Sequence, residues 1–149
     1  MSANDANVVE FDITYGVTRH INCLQDQNRH TRRRALEAIR NEISSAQTNN
    51  VCELAIRPLL RACSDPVEKC RELAILTVTE LFGLTSEPCS LLQCVVPTLA
   101  QRLAQPEIPE SSEELRLQLV KLTRSTVDRC SVHVAPYLND LVSYVIIHG

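Results

Sequence analysis

The chain has no tryptophan, and aromatic side chains make up only 3% of its 149 residues. Sheets concentrate aromatic and β-branched side chains, so a core of Leu, Ile, Val, Ala and Cys suits packed helices better. Glycine is scarce as well; three residues leave few places for tight hairpin turns. No apolar run reaches about 18 residues, so no segment is expected to span a membrane. The first thirty residues lack the basic-then-apolar order of a secretory signal. An excess of positive charge is also missing. Fifteen basic against 18 acidic side chains give a net charge of −3, without the basic field of a general nucleic-acid binder. Seven cysteines are present without one Cys-x-x-Cys pair, and His20, His30, His133 and His148 do not approach them at zinc-ligand spacing. The cysteines read as small buried hydrophobes of a reducing compartment. Neither a nucleophile elbow nor a Gly-rich phosphate loop occurs, so no catalytic residue, metal or cofactor is expected.

What is present is helical periodicity. Residues 1–11 read as a flexible polar tail. Residues 12–25 place Ile13, Val17, Ile21 and Leu24 on one face, and residues 29–46 do the same with Ala35, Leu36, Ile39 and Ile43. Asn50 and Glu53 suggest a capping box for a third helix, 51–63, lined by Cys52, Ala55, Ile56, Leu59, Leu60 and Cys63. The fourth, 65–83, has Asp65 as expected N-cap, Pro66 at the first helical position and Gly83 as the left-handed terminator. A fifth begins at 85–88 and buries Leu92, Val95, Val96, Leu99 and Leu103. After a proline-containing loop, Ser111 and Glu114 suggest a capping box for a sixth helix ending near Cys130, with Leu115, Leu119, Leu122 and Val127 inward. A lone seventh helix, 132–147, carries Val134, Leu138, Leu141, Val142, Val145 and Ile146.

The helices repeat. Pro58, Pro97 and Pro136 are separated by 39 and again 39 residues. Asp26-x5-Arg32-x2-Ala35 recurs 39 residues later as Asp65-x5-Arg71-x2-Ala74, and more weakly as Glu110-x5-Arg116-x2-Leu119. A helical pair recurring near 40 residues marks HEAT or armadillo units, which bury a continuous core only when stacked. The expected fold is therefore all-α, a right-handed α-solenoid of about three and a half repeats. Its pairs are 12–46, 51–83 and 88–130, and 12–149 is a segment of a longer solenoid with further repeats after residue 149. Proline costs about 3 kcal/mol inside a helix, so three at equal spacing suggest a shared kink in the first helix of each pair. Asp26, Arg32, Asp65, Arg71 and Arg116 are candidates for a structural ladder, a role in which acid and arginine pair between adjacent repeats as in HEAT arrays.

Four segments in order carry a family resemblance: Arg-Arg-Arg-Ala-Leu-Glu-Ala-Ile-Arg (32–40), Arg-Pro-Leu-Leu-Arg-Ala-Cys-Ser-Asp-Pro-Val-Glu-Lys-Cys-Arg-Glu-Leu-Ala (57–74), Glu-Glu-Leu-Arg-Leu-Gln-Leu-Val (113–120) and Val-Ala-Pro-Tyr-Leu-Asn-Asp-Leu (134–141). They resemble the N-terminal repeats of the HEAT-repeat dynein axonemal assembly factor family, over about residues 12–145. The resemblance implies a cytoplasmic, non-enzymatic scaffold of ciliated cells that acts with chaperones to pre-assemble axonemal dynein arms. Its implied partners are dynein intermediate or heavy chains. A tubulin-binding HEAT array of the TOG type is the alternative, although the loops at 26–28, 64–66 and 105–112 contain no aromatic side chain.

One charge cluster stands out, Arg29-His30-Thr31-Arg32-Arg33-Arg34. It opens a helix, where the macrodipole disfavours cations by a few tenths of a kcal/mol each. Three readings stay open: Arg29, Arg33 and Arg34 are solvated or pair with neighbouring acids, they form a patch for an acidic protein partner, or they serve nucleic-acid binding or nuclear import.

Overall fold

The computed structural model describes residues 15–43, 48–104 and 107–142. The expected tail, Ile13, Val145, Ile146 and part of the proline-containing loop lie outside them. The described residues are helical or in connecting turns, without a strand. They form two compact units, one through Thr85 and one from Ser86.

The first unit contains α1 (residues 15–23), α2 (Arg29–Ile43), α3 (Thr48–Ala62) and α4 (Glu68–Leu84). α4 packs against both α2 and α3, and α2 and α3 also touch. α2 is strongly two-faced: Ala35, Leu36, Ile39 and Ile43 are buried, and its other positions are half-buried or exposed. α4 differs, because Cys70, Arg71, Leu73, Ala74, Ile75, Thr77, Val78, Leu81 and Phe82 are buried all around it. A helix covered on most sides is a central element rather than a surface one. Its buried Thr77 hydroxyl donates to the Leu73 carbonyl at 2.6 Å, which makes a polar side chain tolerable there.

Three expected helix signals are corrected. Asn50 is no cap, since α3 already begins at Thr48 and holds Asn50 in its first turn. Asp65 does not cap α4; Val67 holds the N-cap position with extended backbone and no side-chain bond, and Pro66 precedes the helix. The Asp65 carboxylate is engaged elsewhere, as described below. Gly83 lies inside α4 rather than ending it, and no described glycine has positive φ. The helix ends instead at extended Thr85, whose N–H donates to the Leu81 carbonyl at 2.9 Å and whose hydroxyl meets Asn49 Oδ1 at 3.3 Å.

The second unit contains a 3-10 turn (Pro88–Leu91), α5 (Leu92–Arg102), α6 (Glu113–Cys130), a 3-10 stretch (Ser131–Tyr137) and α7, described over residues 138–142. α6 packs against α5 and both 3-10 segments. Leu92, Val95, Val96, Leu99, Leu103, Leu115, Leu119 and Leu122 are buried as expected. Val127 is not; it is 39% exposed, and the buried stripe continues through Thr123, Thr126 and Cys130. Both threonines donate to the carbonyl four residues back, which removes the cost of burying a hydroxyl. The N-cap of α6 is Ser112 rather than Ser111, its Oγ accepting from Leu115 N–H at 3.4 Å. In α7 Leu141 is buried, but Leu138 and Val142 are about half exposed. Pro58 and Pro97 lie inside α3 and α5, whereas Pro136 lies in the 3-10 stretch before α7, so the expected shared position inside an α-helix applies to two of the three.

Candidate functional site

The acid-x5-Arg motif builds the same local structure three times. A carboxylate oxygen of Asp26 accepts from the Asn28 N–H at 2.8 Å, that of Asp65 from the Val67 N–H at 2.8 Å, and that of Glu110 from the Ser112 N–H at 3.0 Å. The backbone carbonyl of each acid then accepts from the arginine six residues on. Arg32 reaches Asp26 at 2.9 Å, Arg71 reaches Asp65 at 3.0 Å, and Arg116 reaches Glu110 at 3.5 Å. The spacing works because the acid closes a turn two residues ahead, and the arginine sits one helical turn inside the next helix, folding back over that turn.

Arg32 also reaches across to α4. Its Nε and Nη2 meet Asp65 Oδ2 and Oδ1 at 2.8 and 3.1 Å, a two-pronged pair with both side chains largely buried. The hydrogen bond to Asp65 raises the Arg32 guanidinium further above the ordinary arginine value, against the opposing effect of burial. At the far end of the same two helices, Arg40 grips Glu80 Oε1 through Nε at 2.9 Å and Nη2 at 2.6 Å. α2 and α4 are thus clamped at both ends. The second clamp was missed in the sequence; the signal was a separation of 40 residues, close to the 39-residue repeat.

On the outer side of the first clamp lies the basic edge. Arg29, Arg33 and Arg34 are exposed at the start of α2, whose first turn holds no acid. Arg34 Nε donates to the His30 carbonyl at 3.3 Å on its own helix. Arg33 pairs with Glu37 at 3.1 Å, both about half exposed, and such pairs are worth under about 1 kcal/mol. Arg29 and Arg33 line a depression of about 240 Å³ together with His30, Val67, Lys69 and Cys70. Arg34 is not among its walls. Lys69, in the first turn of α4, pairs with Glu72 at 2.9 Å in another half-exposed contact. Cys70 forms the buried floor; its thiol is pushed up from the ordinary value by burial, which keeps it neutral. The fold therefore joins Arg29 and Arg33 to Lys69, which no local sequence pattern indicated, and leaves Arg34 outside.

A second, wider depression of about 400 Å³ runs beside the end of α1 and includes Ile21, Leu24, Pro58, Arg61 and Asp65. Among the described residues no cluster of His, Cys, Asp or Glu could hold a metal ion, and no helix is long and apolar enough to cross a membrane. His133 Nδ1 lies 3.1 Å from the Cys130 carbonyl in the turn after α6.

Comparison with known proteins bears on what this arrangement serves. The family model described as "Dynein axonemal assembly factor 5-like, TPR repeats" matches residues 23–148. Three curated relatives are named dynein axonemal assembly factor 5. The Xenopus laevis protein is 40% identical over 147 residues, covering 95% of this chain and 18% of the relative. The Homo sapiens protein is 35% identical over 150 residues, covering 93% and 17%. The Mus musculus protein is 35% identical over 144 residues, covering 88% and 17%. The chain thus spans less than a fifth of the length of these relatives. No solved structure matches it.

Proposed function

The chain belongs to the dynein axonemal assembly factor 5-like family, and from that premise we propose that it is a protein-binding, non-enzymatic segment of a cytoplasmic factor for pre-assembly of axonemal dynein arms. The observation that carries this reading is the family match across residues 23–148, because the relatives bear the assembly-factor name. The packed helix pairs with an exposed cationic edge support a scaffold rather than a catalyst. Dynein intermediate or heavy chains are the expected clients, with chaperones as co-workers.

The pairs are read as HEAT-type units of a right-handed solenoid. The 39-residue spacing of the proline and acid-x5-Arg motifs favours HEAT over tetratricopeptide units, which repeat every ~34 residues. Asp26, Arg32, Asp65, Arg71 and Arg116 act in this reading as the ladder that holds register, and Arg29, Arg33 and Arg34 as the partner-facing edge.

The test is capture from ciliated-cell cytosol on the immobilised chain, with captured proteins identified by mass spectrometry. Enrichment of dynein intermediate or heavy chains is expected, and its reduction when Arg29, Arg33 and Arg34 are changed to Glu places the contact on the edge. Absence of dynein chains from both baits would sink the reading for this segment.

A further inference from the structure

We propose that the depression between the starts of α2 and α4 is a docking site for an acidic peptide segment of a partner protein, seated on Arg29, Arg33 and Lys69. The inference rests on the scaffold reading only in requiring a protein partner.

Three observations converge. First, cations from two different helices line one concavity. Arg29 makes no ion pair among the described residues, and Arg33 and Lys69 hold only half-exposed acids of their own helices. Such partners exchange readily for an incoming carboxylate. Second, the start of α2 adds positive potential to the site. The first turn of α2 has no acid and only the neutral Asn28 amide caps it, so the positive end of its dipole adds to the cations, whereas Glu68 offsets that of α4. Third, the size is compatible with such a ligand. At about 240 Å³ the depression is below the roughly 300 Å³ where small-molecule pockets begin, and it suits side chains of an extended peptide. Val67 adds an apolar wall against which the stem of an acidic side chain can lie.

A nucleic-acid strand fits less well. No Phe, Tyr or Trp lines the site for base stacking. Glu37, Glu68 and Glu72 lie on the same two helices, and the whole chain is net negative. A peptide can place discrete carboxylates between those acids, whereas a continuous phosphate backbone cannot.

The measurement is fluorescence anisotropy with the full chain and a labelled peptide of alternating Glu and Ser. The comparison probes are the same peptide with Gln for Glu, the same with phosphoserine for Ser, and a single-stranded oligothymidylate of equal charge. Arg29→Glu and Lys69→Glu are each expected to weaken the Glu peptide about tenfold, the scale of reversing one charge at contact distance in water-like screening. Arg124→Glu, outside the depression, should change affinity less than about twofold. Acids in the first turn of a helix are favourable, so the two site variants should keep their fold, which circular dichroism checks. Tighter binding of the phosphoserine peptide, with the same dependence on Arg29 and Lys69, supports the site and names phosphate as its better anion.

The proposal is overturned if all three variants weaken binding equally, if the Gln peptide binds as well, or if oligothymidylate binds more tightly than the Glu peptide. Repeating the dynein capture with Arg29→Glu/Lys69→Glu separates this proposal from the wider one. Undiminished dynein capture by a variant that has lost the peptide overturns this site and leaves the scaffold reading standing. Site-specific peptide binding with no dynein captured by the unaltered chain supports the site and removes the scaffold reading.

Discussion

Asp65 and Glu110 hold the same place in the acid-x5-Arg motif and close the same kind of turn, but their carboxylates serve different ends. In the first unit Asp65 takes Arg32 from another helix of the unit, 33 residues earlier, and fixes how α2 and α4 align. In the second unit Glu110 takes Arg102 from the end of α5, eight residues earlier, at 3.0 Å. The Glu110 N–H also donates to the Arg102 carbonyl at 3.3 Å, so this pair pins the proline-containing loop. Burial differs too. Arg32 and Asp65 keep 13% and 7% of their side chains exposed; Glu110 keeps none, and Arg102 Nε is buried without a hydrogen-bond partner. The motif supplies a turn and a fixed carboxylate; what surrounds it decides whether that carboxylate sets register or anchors a loop.

The largest effect should come from the deeper pair. Glu110→Ala leaves the Arg102 charge buried opposite a void, which costs about 3–5 kcal/mol. Urea denaturation reads this as a lower midpoint at unchanged slope. Replacing both residues with apolar ones of similar volume, Arg102→Met with Glu110→Leu, should recover much of the loss. If Glu110→Ala costs less than the matching change at Asp65, the contrast between anchor and register pair fails.

For the register pair the informative experiment is a double-mutant cycle. Asp65→Asn keeps the turn-closing oxygen and removes the charge, and Arg32→Met keeps the stem. A coupling energy of about 1.5–3 kcal/mol is expected for a charged, two-pronged, mostly buried contact. A coupling near zero would mean that apolar packing alone aligns α2 and α4.

These pairs also show what was readable in the chain. The acid-x5-Arg spacing was legible because each local link runs over two or six residues, a distance the sequence fixes. Core positions such as Leu36, Ile39 and Leu99 were legible by periodicity. The Asp65 cap was misread because it was assigned to α4 by its neighbours in sequence, while its carboxylate is spent on Val67 N–H and on Arg32. Lys69 was invisible as a member of the basic edge because only the packing of α2 on α4 brings it to Arg29. Val127 misled because threonines bonded to their own helix compete with it for the buried face.

The two units also end their helices differently. α4 passes into extended Thr85 with φ −64° and ψ 143°, an ordinary conformation for any residue. α6 passes into Ser131 with φ 49° and ψ −121°, which a side chain disfavours and glycine accepts. Ser131→Gly should therefore stabilise the chain by about 1 kcal/mol, after its gain in unfolded-state entropy is set against relief of strain. Thr85→Gly, lacking any strain to relieve and losing the hydroxyl contact to Asn49, should destabilise. A thermal midpoint that falls for Ser131→Gly would break this contrast.

The smallest effect should come from the outer clamp, and it tests whether a half-exposed pair holds register at all. Arg40 and Glu80 lie as close as Arg32 and Asp65, although two nitrogens share one carboxylate oxygen instead of taking one each. Yet 37% and 40% of their side chains remain exposed. The Glu80 contact raises the Arg40 guanidinium above its ordinary value, so the attraction is real in direction. Water and salt screen it, and holding two long side chains in place costs entropy. Glu80→Gln should accordingly cost under about 1 kcal/mol, and less still at high salt. The Asp65 cycle should be far less sensitive to salt, since buried pairs are screened much less. Equal losses at the two clamps, or equal salt responses, would show that the burial of Asp65 is incidental to the strength of its pair.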